Sequence, residues 1–143
     1  MTDCANFATL KATQTEITIS VPIYYIQKFK TKKDKTLLIG MNTYRNLHYR
    51  LSNTIKQHYK EEIQKILPDQ TLQTPCKAKF AVYLRRNNTD GGNVRSCIEK
   101  FVLDAFIASK VIPDDKVKYL IGDSSEYFID ENNPRCEVTL YSV

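Results

Sequence analysis

Apolar residues along this chain alternate with polar ones in some stretches and recur at helical spacing in others, and that rhythm predicts its elements. Glu16 to Ile23 (EITISVPI) sets Ile17, Ile19, Val21 and Ile23 at every second position, the period of a half-buried strand. Asn42 is a candidate N-cap, since its side chain can accept a free amide of a first helical turn. After it, Tyr44, Leu47, Leu51, Ile55, Tyr59, Ile63 and Ile66 recur at steps of three and four, one apolar stripe on a long helix that Pro68 ends. Lys77 to Arg86 (KAKFAVYLRR) is a second strand with Ala78, Phe80, Val82 and Leu84 on one face. Asn87 to Gly92 (NNTDGG) reads as a turn whose two glycines can take conformations closed to other residues. A second helix is expected from Asn93 to near Ser109, burying Val94, Ile98, Phe101, Val102 and Ala105. Lys116 to Ile121 and Arg135 to Tyr141 read as two closing strands.

The order β-α-β-α-β-β predicts an α/β domain: a single mixed β-sheet with two main helices packed on it. The 143 residues suit one domain, and no internal repeat or linker divides them. Residues 1–14 carry little pattern and read as a loose N-terminal arm.

Composition narrows the class. A hydrophobic fraction of 42% beside 26% charged residues is that of a globular chain, not a disordered one. No apolar run reaches the ~18 residues of a membrane span, and no signal-peptide pattern opens the chain, so a cytoplasmic protein without a membrane partner is expected. Cys4, Cys76, Cys97 and Cys136 are widely spaced and His48 and His58 stand at no zinc-finger spacing from them, so buried or idle thiols are expected. The histidines have no evident Ser or Cys partner for a nucleophilic triad, and no phosphate-binding GxxxxGK[ST] loop is present. The net charge of +5 is compatible with a polyanionic partner without requiring one. Five lysines fall within residues 28–35 (KFKTKKDK), and a basic loop over residues 28–38 is expected. It is either a solvated loop or a clamp on a DNA backbone through Lys30, Lys32 and Lys33.

The candidate chemistry lies on and around the second helix. Asn93, Cys97, Lys100 and Asp104 share a face, with Lys100 and Asp104 one turn apart above the turn that carries Asp90. An ordinary exposed ion pair would account for the last two as well. Asp114 and Asp115 follow Pro113, and adjacent carboxylates need solvent, a cation or a capping role; Asp114 is the better suited to capping. Asp90, Asp104 and Asp115 together would make an all-oxygen cage for Mg2+ or Mn2+. In phosphodiester hydrolysis such a cation polarises the phosphate while a lysine neutralises developing charge. Arg45 and Arg50 on the first helix, Arg85 and Arg86 at a strand end, and Arg95 are candidate phosphate contacts, solvated side chains being the alternative.

These residues carry a family resemblance. Asp90-Gly-Gly-Asn93, then Glu99-Lys100-Phe101-Val-Leu-Asp104-Ala-Phe106, then Val111-Ile-Pro-Asp114-Asp115 resembles the core of RusA-type Holliday junction resolvases. Met41 to Tyr59 resembles the N-terminal helix of phage-type members, so the likeness spans roughly residues 38–120. It implies a RusA-like fold and a homodimeric endodeoxyribonuclease that cuts four-way DNA junctions with Mg2+ or Mn2+. In that light Asp90 and Asp115 match metal ligands, Asp104 a further acidic position, Lys100 the catalytic lysine, and Asn93 the asparagine of the turn. Gly92 stands where the family's turn carries a second aspartate, and Lys100 lies two turns after Asn93 where the prototype has one. Loss of that ligand leaves a second class open: a catalytically weakened module that holds branched DNA or a protein.

Overall fold

Strict alternation in three strands builds the centre of the molecule. In the computed structural model, which describes residues 12–67 and 69–143, β2 (Glu16–Pro22), β6 (Cys76–Leu84), β7 (Leu120–Ile129) and β8 (Arg135–Ser142) form one sheet in the order β2-β8-β6-β7. β8 runs antiparallel to both β2 and β6, and β6 and β7 are parallel, so the sheet is mixed. The register lays apolar rows across it: Ile17–Leu140–Ala78, Ile19–Val138–Phe80 and Val21–Cys136–Val82, all buried. Because side chains alternate between faces, these rows share one side, and the helices cover it. The expected α/β class is what the chain adopts, with two main helices on one main mixed sheet of four strands, beside two separate two-stranded pairs.

Three helices are found among the described residues: α1 (Met41–Asn46), α2 (Tyr49–Ile66) and α3 (Gly91–Ala108). α3 buries eight side chains, including Cys97, Leu103 and Phe106 beyond the expected stripe. The reason is that it meets the sheet on one side and α2 on another, where Tyr59 stacks on Phe101 at 4.9 Å. The Tyr59 hydroxyl donates to the Pro22 carbonyl at 2.6 Å, fastening α2 to the end of β2.

The long helix expected from Asn42 is broken. Leu47 is extended (φ −78°, ψ 149°), and His48 starts α2 afresh, its Nδ1 accepting the Arg50 amide at 3.2 Å. Asn42 lies inside α1, whose N-cap is Gly40. The apolar stripe runs through the break because Tyr44, Leu47 and Leu51 all still pack on the core, so spacing alone could not reveal it. Ile66, at the end of the stripe, is 51% exposed.

Four short strands add to the sequence reading. β3 (Tyr24–Gln27) and β4 (Lys35–Leu38) form an antiparallel hairpin, so the basic loop is confined to residues 28–34 and Leu37 is buried. β1 (Ala12–Gln14) pairs in parallel with β5 (Gln70–Leu72), so the expected N-terminal arm is a strand where it is described; residues 1–11 lie outside the described residues. The strand expected at Lys116 begins only at Leu120 and runs to Ile129. No glycine among the described residues has a positive φ; Gly91 and Gly92 are the first residues of α3. The left-handed position is Lys110 instead, at φ 61°, just past the end of α3.

Candidate functional site

α3 leads from the carboxyl end of β6, where the chain turns through Asn87–Asp90, and β7 continues the sheet beside β6. The end is basic: Arg85 and Arg86 leave β6 exposed, and the Arg85 guanidinium lies 4.9 Å from the Tyr24 ring at the base of the lysine hairpin. Lys30, Lys32 and Lys33 are exposed on that hairpin, with the Lys32 ammonium 4.3 Å from the Phe29 ring.

Two open clefts flank one ridge of α3. The first, about 600 Å³, is lined by Asn42, Arg45, Asp90, Asn93, Ser96 and Lys100 among others. The second, about 500 Å³, is lined by Ser96, Glu99, Lys100, Asp115, Ile121 and Asp123 among others. Lys100 therefore reaches both, and it is exposed. Ser96 takes the place expected for Cys97, which is fully buried on the side of α3 that faces α2. Burial pushes the Cys97 thiol up to about 11, with the Lys100 charge opposing, so the thiol stays protonated and unreactive. Burial pushes Cys136 up to about 12 and raises Cys76; all three are free and buried, while Cys4 lies outside the described residues.

In the first cleft Asp90 is a capping residue. Its Oδ1 accepts the Asn93 amide at 3.2 Å, holding the start of α3 where the helix dipole favours negative charge. The Asn93 side chain accepts the Asn42 amide at 3.1 Å, and a Cβ on Gly40 would come within 2.6 Å of its Nδ2. Gly40 thus lets Asn93 tie α1 to α3 and set Arg45 beside the cleft. Gly91 likewise has no room for a Cβ, which would fall 2.4 Å from the Tyr127 ring.

The second cleft holds the carboxylates. Glu99 and Asp123 both pair with Arg95, at 3.4 and 2.9 Å. Glu99 sits above the ordinary carboxylate range: burial is the main cause, Arg95 opposes it, and the charges of Asp123 and Asp115 add to it. Arg95, expected among the phosphate contacts, is 19% exposed at its side chain and lies 5.0 Å from the Phe80 ring, so it is spent inside the protein. The Asp114 Oδ1 accepts the amide of the next residue, Asp115, at 2.8 Å, a bond that lowers the Asp114 pKa; Asp115 itself is exposed. Arg50 is exposed on α2, its Nε donating to the Tyr49 hydroxyl at 3.3 Å.

The three aspartates expected to share a cation are not gathered. Among the described residues no three histidine, cysteine, aspartate or glutamate side chains form a group that could hold a metal ion. Asp90 and Asp115 line different clefts on either side of the ridge, and Asp104, exposed, lines neither. The residues do not fit a protein-only cage. Asp115 shares the second cleft with Glu99 and Asp123, whose carboxylates are already paired with Arg95.

Glu99 and Asp123 are site residues that sequence reasoning misses. The signal for Asp123 is the polar run Gly122–Glu126, which interrupts a strand that should otherwise alternate; Glu99 stands beside Lys100 with no mark of its own. No protein-family model and no curated protein matches this chain.

Proposed function

We propose that this protein is a Mg2+- or Mn2+-dependent endonuclease that resolves four-way DNA junctions as a two-fold dimer. The observation that carries the reading is Lys100, exposed between a cleft with Arg45 and Asn93 and a cleft with Asp115, Glu99 and Asp123. A phosphate entering over the ridge meets a cation at its centre, with the capping Asp90 in the first cleft and Asp115, Glu99 and Asp123 in the second. The bound metal would supply Lewis-acid polarisation of that phosphate. Lys100 neutralises charge developing on the phosphate oxygens, Arg45 steadies a neighbouring phosphate, and Asp115 with the Glu99–Asp123 pair provides the oxygen-rich wall. Asp90 and Asn93 act through the backbone, fixing where α3 begins and where α1 stands. Lys30, Lys32, Lys33, Arg85 and Arg86 extend the positive surface along a flanking arm of the DNA. No helix among the described residues is long and apolar enough to cross a membrane, and the three buried free cysteines accord with the reducing cytoplasm proposed as its place of action.

One observation favours a second reading, a non-catalytic module that holds branched DNA or a protein. Asp90 is occupied as a cap, and Gly92 has no side chain to replace it as a ligand.

The test is nicking of a synthetic mobile four-way junction in Mg2+ or Mn2+. Cleavage by the wild type that Asp115→Asn reduces by about 10² to 10³, while Asp104→Asn leaves it intact, supports the nuclease. Wild-type cleavage no better than that of Asp115→Asn sinks it. Tight junction binding without cleavage in any divalent metal selects the binding module.

A further inference from the structure

From Lys35 to Lys60 the chain carries five cations, Lys35, Arg45, Arg50, Lys56 and Lys60, and no aspartate or glutamate. α1 and most of α2 lie in this stretch, and none of their four cations forms an ion pair among the described residues. At about 100° per residue, Tyr49, Asn53, Lys56 and Lys60 fall within roughly 60° of one another on α2, in a line about 16 Å long. All four are exposed. Tyr49 heads the line and is 63% exposed, more than any other tyrosine or phenylalanine among the described residues. Its ring is held in place: the His48 ring lies 4.6 Å away at a tilt of 31°, and the Arg50 Nε donates to its hydroxyl at 3.3 Å. The break at Leu47 puts Tyr49 at the first position of α2, at most about 14 Å along the chain from Arg45 of the first cleft. The two other exposed rings are Tyr127 and Phe128 on β7, a strand with Asp123 and Glu126 and no lysine or arginine; Phe128 is already stacked on Tyr83 at 4.9 Å.

We propose that this line of α2 is a track for an unpaired DNA strand, in which Tyr49 stacks on a base while Lys56 and Lys60 follow the phosphates. The proposal rests on DNA being the ligand, as proposed above, and is independent of whether the protein cuts it. A ring face meets a base face only where the base has left its own stack, so the inside of a continuous duplex offers Tyr49 nothing. Lysine charge, by contrast, acts on the backbone of any DNA. Tyr49 is therefore the specificity-determining contact: it favours branched or melted DNA over duplex, and the lysines add affinity without choosing. The absence of carboxylates over the whole stretch leaves nothing to repel the strand. At about 3.4 Å per nucleotide, some five nucleotides cover the distance from Tyr49 to Lys60. Arg45 stands where such a strand leaves the first cleft, so the track continues that cleft past the α1–α2 break.

The experiment is fluorescence anisotropy on the full chain in EDTA, so that binding is read without cleavage. Its probes are a four-way junction, a long continuous duplex and a short oligothymidylate. Tyr49→Ala should weaken binding to the junction and to oligothymidylate by about 10-fold or more and leave duplex binding unchanged. Tyr49→Phe, which keeps the ring, should bind as wild type does. Lys56→Ala/Lys60→Ala should weaken all three, since all three present phosphates. With 5-iodouracil placed in the oligothymidylate, irradiation should crosslink the strand to Tyr49, and the crosslink should vanish in Tyr49→Leu. The proposal is overturned if Tyr49→Ala binds the junction as wild type does, if it loses duplex binding equally, or if the crosslink falls on Tyr127 or Phe128. Oligouridylate bound more tightly than oligothymidylate overturns DNA as the source of the base. A wild type that binds none of the DNA probes sinks the DNA reading itself, whereas junction cleavage in Mg2+ with Tyr49→Ala binding unimpaired sinks this inference alone.

Discussion

The Asn93 side chain on α3 accepts the backbone amide of Asn42 on α1 at 3.1 Å, and it can do so because Gly40 leaves it room. One amide thereby joins the two helix starts that frame the first cleft. Asn93→Ala should destabilise the fold by about 1 kcal/mol, the ordinary worth of one hydrogen bond. Gly40→Ala should cost a similar amount, since its new methyl would push the Asn93 amide away from Asn42. The two changes remove the same hydrogen bond, so in a double-mutant cycle by urea denaturation the pair should cost clearly less than the sum. Additive costs would show that Gly40 and Asn93 act separately.

The lysine hairpin should contribute to DNA affinity through phosphate charge alone. Replacing Lys30, Lys32 and Lys33 by alanine should weaken junction and duplex binding alike. It should also lower the slope of log K against log salt by about 3, one counterion for each lysine removed. An unchanged slope in a fluorescence-anisotropy titration would return the loop to the role of a solvated turn.

Glu99 links stability to pH with a definite sign. Its pKa is raised in the folded state by burial, with Arg95 opposing and Asp123 and Asp115 adding to the rise, so the folded protein holds that proton more tightly than the unfolded chain. The stabilising contribution of the proton is complete below 4.5, the ordinary value, and is lost as pH rises through the higher folded value. Glu99→Gln should therefore flatten the decline in stability between 4.5 and the folded value and differ least from wild type in acid. Urea midpoints for both proteins across about pH 4 to 7 read this directly.

Lys110 ends α3 in the left-handed region at φ 61°, where a side chain crowds the backbone and glycine does not. Its amide donates to the Ile107 carbonyl at 3.0 Å, and the next amide, of Val111, reaches the Phe106 carbonyl at 2.9 Å. The exposed Lys110→Gly change should keep both bonds and raise stability by about 1 kcal/mol in the same denaturation assay.

Much of the scaffold is legible in the residues alone. Ile17, Ile19 and Val21, and Ala78, Phe80, Val82 and Leu84, alternate because one face of their strands is buried, and alternation survives in any tertiary setting that buries that face. The stripe of α3 is legible for the same reason, though spacing shows only part of its buried surface. A single sequence cannot show which neighbours will cover the rest of the cylinder, and Cys97, Leu103 and Phe106 are buried beyond the stripe. The candidate site is less legible. Residue type and spacing mark Lys100, Asp90 and Asp115, but they do not show that Asp90 caps a helix or that Arg95 is held between Glu99 and Asp123.

The sequence by itself determined the α/β class, the inward faces of β2 and β6, the main apolar stripe of α3, and the presence of acidic and basic groups around Lys100. Those follow from local periodicity and residue chemistry, which need no knowledge of distant neighbours. The tertiary structure decided the rest: that the helix beginning near Asn42 breaks at His48, that Asp90 and Asp115 stand in separate clefts with Lys100 between, and that β7 pairs with β6 alone among the described residues. Each depends on which side chains meet across tens of residues, and that is set by packing of the whole sheet and its helices, not by spacing along the chain.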